Sequence, residues 1–201
     1  HPDDVVLLAS ADEHHANIAP WLRRARLVSV EPAGAPGEPC RLETLVEAIA
    51  RHRPRVVTVG HASNVTGVIQ PVAAICDAAR QGGAISVVDA AQSAPHLRID
   101  VRAMGCDFLA FSGHKMMGPT GIGVLYGRLD ALAGLRPLVA GGGAVDHVGL
   151  SGFTLKPPPY SFEAGTPHIA GAVGLAAAVD YLCGIGFDAL RAHEARLTER
   201  L

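Results

Sequence analysis

AISVVDA (residues 84–90) and DFLAFSG (residues 107–113) decide the fold. Each is a short β-rich run ending on polar or small residues, and the residues between them suffice for a short helical connection. Runs such as ISVV read as apolar on both faces, the mark of a strand covered on two sides. Working outward, DVVLLAS (4–10), RLVSV (26–30) and RVVTVGH (55–61) are further strands upstream, and GIGVLYG (121–127) is one more downstream. Helical segments alternate with them. ANIAPWLRRAR (16–26) has helical character, RLETLVEAIARH carries Leu42, Leu45, Val46 and Ile49 at helical spacing, and PVAAICDAARQGG (71–83) has proline at its first position and glycine past its end. The fold class is α/β, with a mostly parallel sheet covered by helices on both faces.

EPAGAPGEPC (31–40) is dense enough in proline and glycine to be a loop. Beyond residue 140 the alternation stops. A glycine-rich turn (AGGGAV) and a long irregular stretch containing KPPPY precede two helices, at 168–183 and 187–200.

At 201 residues and 49% hydrophobic content the chain can bury a substantial core as one domain, or as one large piece of a bigger one. Charged residues make up 18% and the net charge is −2, so there is no basic footprint for nucleic acid. The most apolar tract, HIAGAVGLAAAVDYLCGIG, is interrupted by Asp180 and rich in small residues; this suits a buried helix rather than a bilayer span. No membrane partner is expected. Cys40, Cys76, Cys106 and Cys183 are widely spaced, without the close pairs of a zinc or redox motif, so no metal is expected and a reducing, cytoplasmic setting fits. The opening HPDDVVLLAS has no initiator methionine and no basic region ahead of an apolar stretch, so the chain is expected to start inside a domain rather than with a signal peptide.

In an open α/β sheet, ligands sit beyond the carboxyl ends of the strands. Polar groups follow four strands here: His14 and His15 after the first, His61 and Asn64 after RVVTVG, Asp89 and Gln92 after AISVV, and Ser112, His114 and Lys115 after DFLAF. Singly, each has an ordinary reading: a loop histidine, a capping aspartate, a solvated lysine before a GPTG turn. Their convergence on one sheet edge favours a functional site.

Chemistry narrows the set. A lysine that forms a Schiff base needs a partly desolvated pocket with cationic or hydrogen-bonding neighbours, which SGHK supplies. A pyridoxal phosphate coenzyme also needs a carboxylate at its pyridine nitrogen, and Asp89 can serve. A flat partner above the ring and an amide donor toward its hydroxyl complete such a cradle; His14 and Gln92 have the right shapes.

EHHANIAPW, HASNVTGVIQPV, VDAAQS, FSGHKMMGPTGIGVLY and FEAGTPH resemble, in order and approximate spacing, the motifs of aminotransferase class V, a family of fold-type I pyridoxal phosphate enzymes. Within it they are most similar to the cysteine desulfurase and selenocysteine lyase branch, of the SufS kind. The resemblance runs from about residue 4 to the end of the chain. It implies the fold-type I large domain, with its seven-stranded type of sheet, without the family's N-terminal phosphate-binding turn and its small C-terminal domain.

The same resemblance implies that Lys115 holds pyridoxal 5′-phosphate as a Schiff base, Asp89 pairs with the pyridine nitrogen, Gln92 bonds the ring oxygen and His14 stacks on the ring. Ser112 and His114 contact the phosphate, Asn64 helps to hold the substrate carboxylate, and Thr166 reaches the phosphate of the neighbouring subunit, so a homodimer is implied. The implied reaction is cleavage of the carbon–sulfur bond of cysteine or a cysteine-like amino acid, with Lys115 as base and His14 as proton shuttle, giving alanine and an enzyme persulfide that a sulfur-acceptor protein can relieve. None of the four cysteines occupies the place of the family's mobile nucleophilic thiol, and packing is their expected role. Ser161 and His168 stand where many desulfurases have arginine and asparagine, the 21–30 stretch is shorter than the family's, and the proline-glycine loop is longer. These departures leave open a thiocysteine or cysteine-conjugate lyase, including one acting on carrier-bound substrate in an assembly line, and a class V aminotransferase or epimerase; outside catalysis, a coenzyme-free scaffold.

Overall fold

A computed structural model describes residues 3–10, 12–30 and 37–200. Residues 31–36 of the expected proline-glycine loop lie outside the described residues. Among the described residues eight strands form two sheets: β1 (Val5–Leu8), β2 (Arg26–Ser29), β3 (Val56–Gly60), β4 (Ile85–Asp89), β5 (Phe108–Ser112) and β6 (Gly123–Gly127) make a central sheet in the order β2-β1-β3-β4-β5-β6, and β7 (Val145–Gly149) pairs with β8 (Gly152–Leu155) in a hairpin. The first five central strands are parallel and β6 is antiparallel at the edge. The mostly parallel sheet is the one expected, with six strands among the described residues rather than seven.

Burial explains the arrangement. All four residues of β1 are buried, so the middle of the sheet is covered on both faces. One face carries the main core. There Leu7, Val57, Val59, Val88 and Leu109 pack against α2 (Leu42–His52), α3 (Val72–Gln81) and α4 (Val101–Met104) through Leu45, Ile49, Ile75 and Met104. Fully buried Leu45 and Ile75 each contribute roughly 1.5–3 kcal/mol by leaving water. In α2 the buried stripe is narrower than the sequence spacing implies. Leu45 and Ile49 are buried and Leu42 partly so, but Val46, about 100° round the helix from Leu45, is exposed.

The 16–26 segment is less helical than expected: a 3₁₀ turn at His15–Asn17 is followed by the single-turn α1 (Ala19–Leu22), because the chain must enter β2 at Arg26. Pro71 caps α3 instead of occupying its first turn. Ser86, inside the apolar-looking ISVV, is buried and paired: its hydroxyl donates to Asp107 Oδ2 at 2.9 Å and accepts from the Asp107 N–H at 2.9 Å.

After α5 (Leu129–Ala133), the stretch expected to be irregular contains the β7–β8 hairpin, whose residues are largely exposed. Then come α6 (Ile169–Ile185) and α7 (Phe187–Thr198), close to the expected limits. The expected burial of α6 holds on one side only. Leu175, Ala178 and Leu182 are buried, and Leu175 and Leu182 join Met116, Phe111 and Ile122 in a second small core, whereas Ile169, Val173 and Tyr181 face outward. No single helix among the described residues is long and apolar enough to cross a membrane.

Candidate active site

In the central sheet the connection leaving β1 runs to β2 on one side, while the connection leaving β3 runs to β4 on the other. A crevice opens between the carboxyl ends of β1 and β3 at this reversal, the usual place for a ligand in an open α/β sheet. Strand pairing brings the neighbouring ends level. Gly60 is opposite Asp89 and Asp89 opposite Ala110, and the ladder continues past the strands through the His61 N–H to Asp89 O at 2.8 Å and the Ala90 N–H to Ala110 O at 2.8 Å.

Two cavities lie along this edge. The larger, about 630 Å³, is lined by His14, Trp21, Asp89, Ser112, His114 and Lys115 among others. The smaller, about 20 Å³, shares His14, Asp89 and Lys115 and adds Asn64 and Gln92. Seven of the eight predicted site residues therefore meet at one place. Thr166 does not; it is exposed and lines neither cavity. Another cavity of about 620 Å³, beside α6, is bounded mainly by apolar residues such as Phe111, Met116 and Leu182, with Arg98 and Asp188, and contains none of the predicted residues.

Local structure sets each side chain. Asp89 ends β4, and its Oδ1 accepts the Ala91 N–H at 2.9 Å, so it caps the turn that carries Gln92; Oδ2 has no hydrogen bond among the described residues. Lys115 closes a 3₁₀ turn (Gly113–Lys115) directly after β5. It is half-buried, and its amine has neither a hydrogen bond nor an ion pair among the described residues. Gly113 permits that turn: a Cβ there would lie 3.1 Å from the Ile122 carbonyl oxygen and 3.3 Å from that of Pro119. His14 caps the first 3₁₀ turn, its Nδ1 accepting the Ala16 N–H at 3.1 Å, which leaves Nε2 as the nitrogen that carries the proton of the neutral ring. Asn64 projects from a loop that Ser63 folds back by accepting the Val65 and Thr66 N–H groups at 3.2 Å.

His61, grouped with Asn64 in the sequence, has another place. It is buried, lines neither cavity, and burial holds its imidazole below the usual histidine range. Its backbone carries the ladder to Asp89.

Residues in and behind the site that the sequence reading does not single out include Glu13, Asn17, Trp21 and Ala91. Asn17 and Trp21 line the larger cavity and Ala91 lines both. Buried Glu13 accepts the Gly60 N–H on both oxygens (2.8 and 2.9 Å) and the Asn17 Nδ2–H on Oε2 (2.7 Å). Asn17 Oδ1 in turn accepts the Thr58 hydroxyl at 2.6 Å and the Trp21 indole N–H at 3.4 Å. Burial first, then the charges of Asp89 and Asp12, push the Glu13 carboxyl up to about 7 against the hydrogen bonds from Asn17 and Gly60. The four-residue spacing of Glu13 and Asn17 was the only sequence signal for this network.

Of the four thiols, Cys76 and Cys106 are buried and Cys40 packs half-buried against the core, as expected. Cys183 departs from that expectation: it is exposed on α6. Burial raises Cys40 and Cys76 to about 11 and raises Cys106 as well.

Parallel sheet, crevice and convergent lysine, aspartate and histidine agree with the family match: the Aminotransferase class-V model covers residues 1–201, and the chain belongs to that family. Members of the family use pyridoxal 5′-phosphate. Among curated relatives, the chain is 46% identical over 200 residues to a probable cysteine desulfurase of Halalkalibacterium halodurans (98% of this chain, 48% of the relative). It is 48% identical to one of Aeropyrum pernix (96% and 48%). Among solved structures it superposes on the apo cysteine desulfurase of Thermococcus onnurineus with a TM-score of 0.91 at 40% identity, covering 98% of this chain and 50% of that one. The cysteine desulfurase CsdA of Escherichia coli gives 0.87 at 39%, with 94% and 48% covered. The chain thus spans about half the length of the proteins it matches.

Proposed function

We propose that residues 1–201 are the coenzyme-binding large domain of a pyridoxal phosphate enzyme that cleaves the carbon–sulfur bond of cysteine or a cysteine-like amino acid, in the manner of a cysteine desulfurase. One observation carries this: Lys115 and Asp89, from the ends of adjacent strands, line the same two cavities as His14, and the lysine amine is unpaired among the described residues. The donor set fits the coenzyme. An amine is available for its aldehyde, a free carboxylate oxygen of Asp89 for its ring nitrogen, the His14 imidazole for its ring face, and the Gln92 amide for its ring oxygen. Ser112 and His114 supply donors for the phosphate. When bound, the coenzyme supplies an aldehyde carbon and an electron-withdrawing ring.

The chain's own residues do the rest. Asn64 orients the substrate carboxylate. Lys115 Nζ takes the substrate Cα proton, and His14 presents its Nε2–H to the departing sulfur as a hydrogen-bond donor, since its Nδ1 is held by the Ala16 N–H. The products are alanine and a protein-bound persulfide. Raised thiols at Cys40, Cys76 and Cys106 make poor nucleophiles, and no cysteine lines either cavity, so the sulfur-accepting thiolate is assigned to another part of the full-length protein. Exposed Thr166 is assigned to the phosphate of a second subunit in a homodimer, with a sulfur-acceptor protein as onward partner and the cytoplasm as location.

The test is spectroscopic and chemical. Full-length protein is expected to show the visible band of lysine-bound coenzyme, to lose it in Lys115→Ala, and to release alanine from cysteine while protein persulfide accumulates. Full colour in Lys115→Ala without added amine overturns the lysine assignment. A coloured enzyme that releases no alanine from cysteine overturns the desulfurase reading in favour of a lyase for another carbon–sulfur substrate.

A further inference from the structure

Glu13 lies in the connection leaving β1, and Gly60 is the last residue of β3. The bonds between them cross the crevice at the point where the sheet's connections diverge. The fit is close. A Cβ at Gly60 would lie 3.2 Å from Glu13 Oε2, so the missing side chain is what lets the carboxylate reach the backbone. Through Asn17 the same carboxylate is tied to Thr58, which is completely buried in β3, and to Trp21 in the cavity wall. Every hydrogen bond at Glu13 among the described residues is donated to it, which favours the ionised, accept-only form but does not outweigh the burial that favours the protonated one.

Burying a carboxyl is costly, and among the described residues no cation compensates this one; the charges acting on it are Asp12 on its own turn and Asp89 at the end of β4, both negative. His14 follows immediately in the chain and reaches the cavity from the turn that Glu13 and Asn17 fasten. Building on the coenzyme reading above, we propose that Glu13 is a positioning residue: by clamping the 12–17 turn to the end of β3 it fixes the orientation of the His14 imidazole toward the coenzyme site.

The test is a double-mutant cycle in the full-length, coenzyme-loaded enzyme, with Glu13→Gln, His14→Ala and the double variant. The readouts are kcat and the circular dichroism induced in the visible coenzyme band, per coenzyme bound; the second reports ring setting without turnover. Glu13→Gln is expected to lower kcat about 10- to 100-fold, the scale of a misplacement near 1 Å. It should also change the induced dichroism while leaving the coenzyme band present. Both effects should shrink to less than about two-fold in the His14→Ala background. Thr58→Val reaches Glu13 only through Asn17, and should reproduce the pattern at smaller amplitude; if Glu13→Gln does not fold, this cycle decides alone. Equal effects in both backgrounds, with the band intact, overturn the positioning role and leave the coenzyme reading standing. Absence of the band from the wild-type enzyme overturns both.

Discussion

Titrating the protein's stability through neutrality tests the burial of Glu13 directly. In the fold this carboxyl keeps its proton up to about pH 7, whereas an unfolded glutamate gives it up near 4.5. Between those values the folded state binds the extra proton, so the stabilisation it brings is complete below 4.5 and is lost as pH rises through 7. At about 1.4 kcal/mol per pH unit, that window corresponds to roughly 3 kcal/mol. For a domain of this size the apparent Tm then moves by roughly 6–12 °C. Glu13→Gln keeps the shape but has no proton to lose. With coenzyme-free protein, thermal melts of both forms from pH 5 to pH 8 should diverge, the wild type losing stability relative to Glu13→Gln as pH rises, while all other titrations cancel in the difference. A pH-independent offset added to that divergence would reflect the altered hydrogen bonds to Gly60 and Asn17. Parallel curves across the whole range would refute a buried, titrating carboxyl at this position.

Other expectations follow from packing. Ser86→Ala removes the two hydrogen bonds that its hydroxyl makes with Asp107, leaving the backbone one, and should cost roughly 1–3 kcal/mol in denaturant unfolding. Gly123→Ala would set a Cβ 2.7 Å from the Phe111 carbonyl oxygen; it should force β6 away from β5 and cost roughly 1–3 kcal/mol, seen as faster amide exchange in β6. A maleimide at neutral pH should label Cys183 first by peptide mapping, with Cys76 and Cys106 reacting only on unfolding.

The strands and their polar termini were legible because a strand in the middle of a parallel sheet must be apolar and its carboxyl end is where polarity resumes, as at Val88–Asp89 and Phe111–Ser112. Lys115, Asp89, Gln92, His14 and Asn64 could be gathered on that logic, with the family resemblance supplying their separate roles. Glu13 escaped because its partner Gly60 is 47 residues away and neither residue type announces a clamp. The β7–β8 hairpin escaped because its residues face water on both sides, so no apolar alternation marks it. His61 misled for the opposite reason: its position matched a ligand-facing residue, and only the packed fold turns its ring into the interior.

The level alignment of Gly60, Asp89 and Ala110 also constrains how such a scaffold can change. One inserted residue within β3, β4 or β5 would advance that strand's end by about 3.3 Å and invert every side chain beyond it. Insertions in the loop beyond His61 leave the alignment untouched, whereas residues after Lys115 are bound back to its turn by the Gly118 N–H to Gly113 O bond at 2.9 Å. Length variation aimed at new reactivity therefore belongs in the exposed loop tip 64–67, where a library of insertions can reshape the entrance without unseating the amine or the carboxylate.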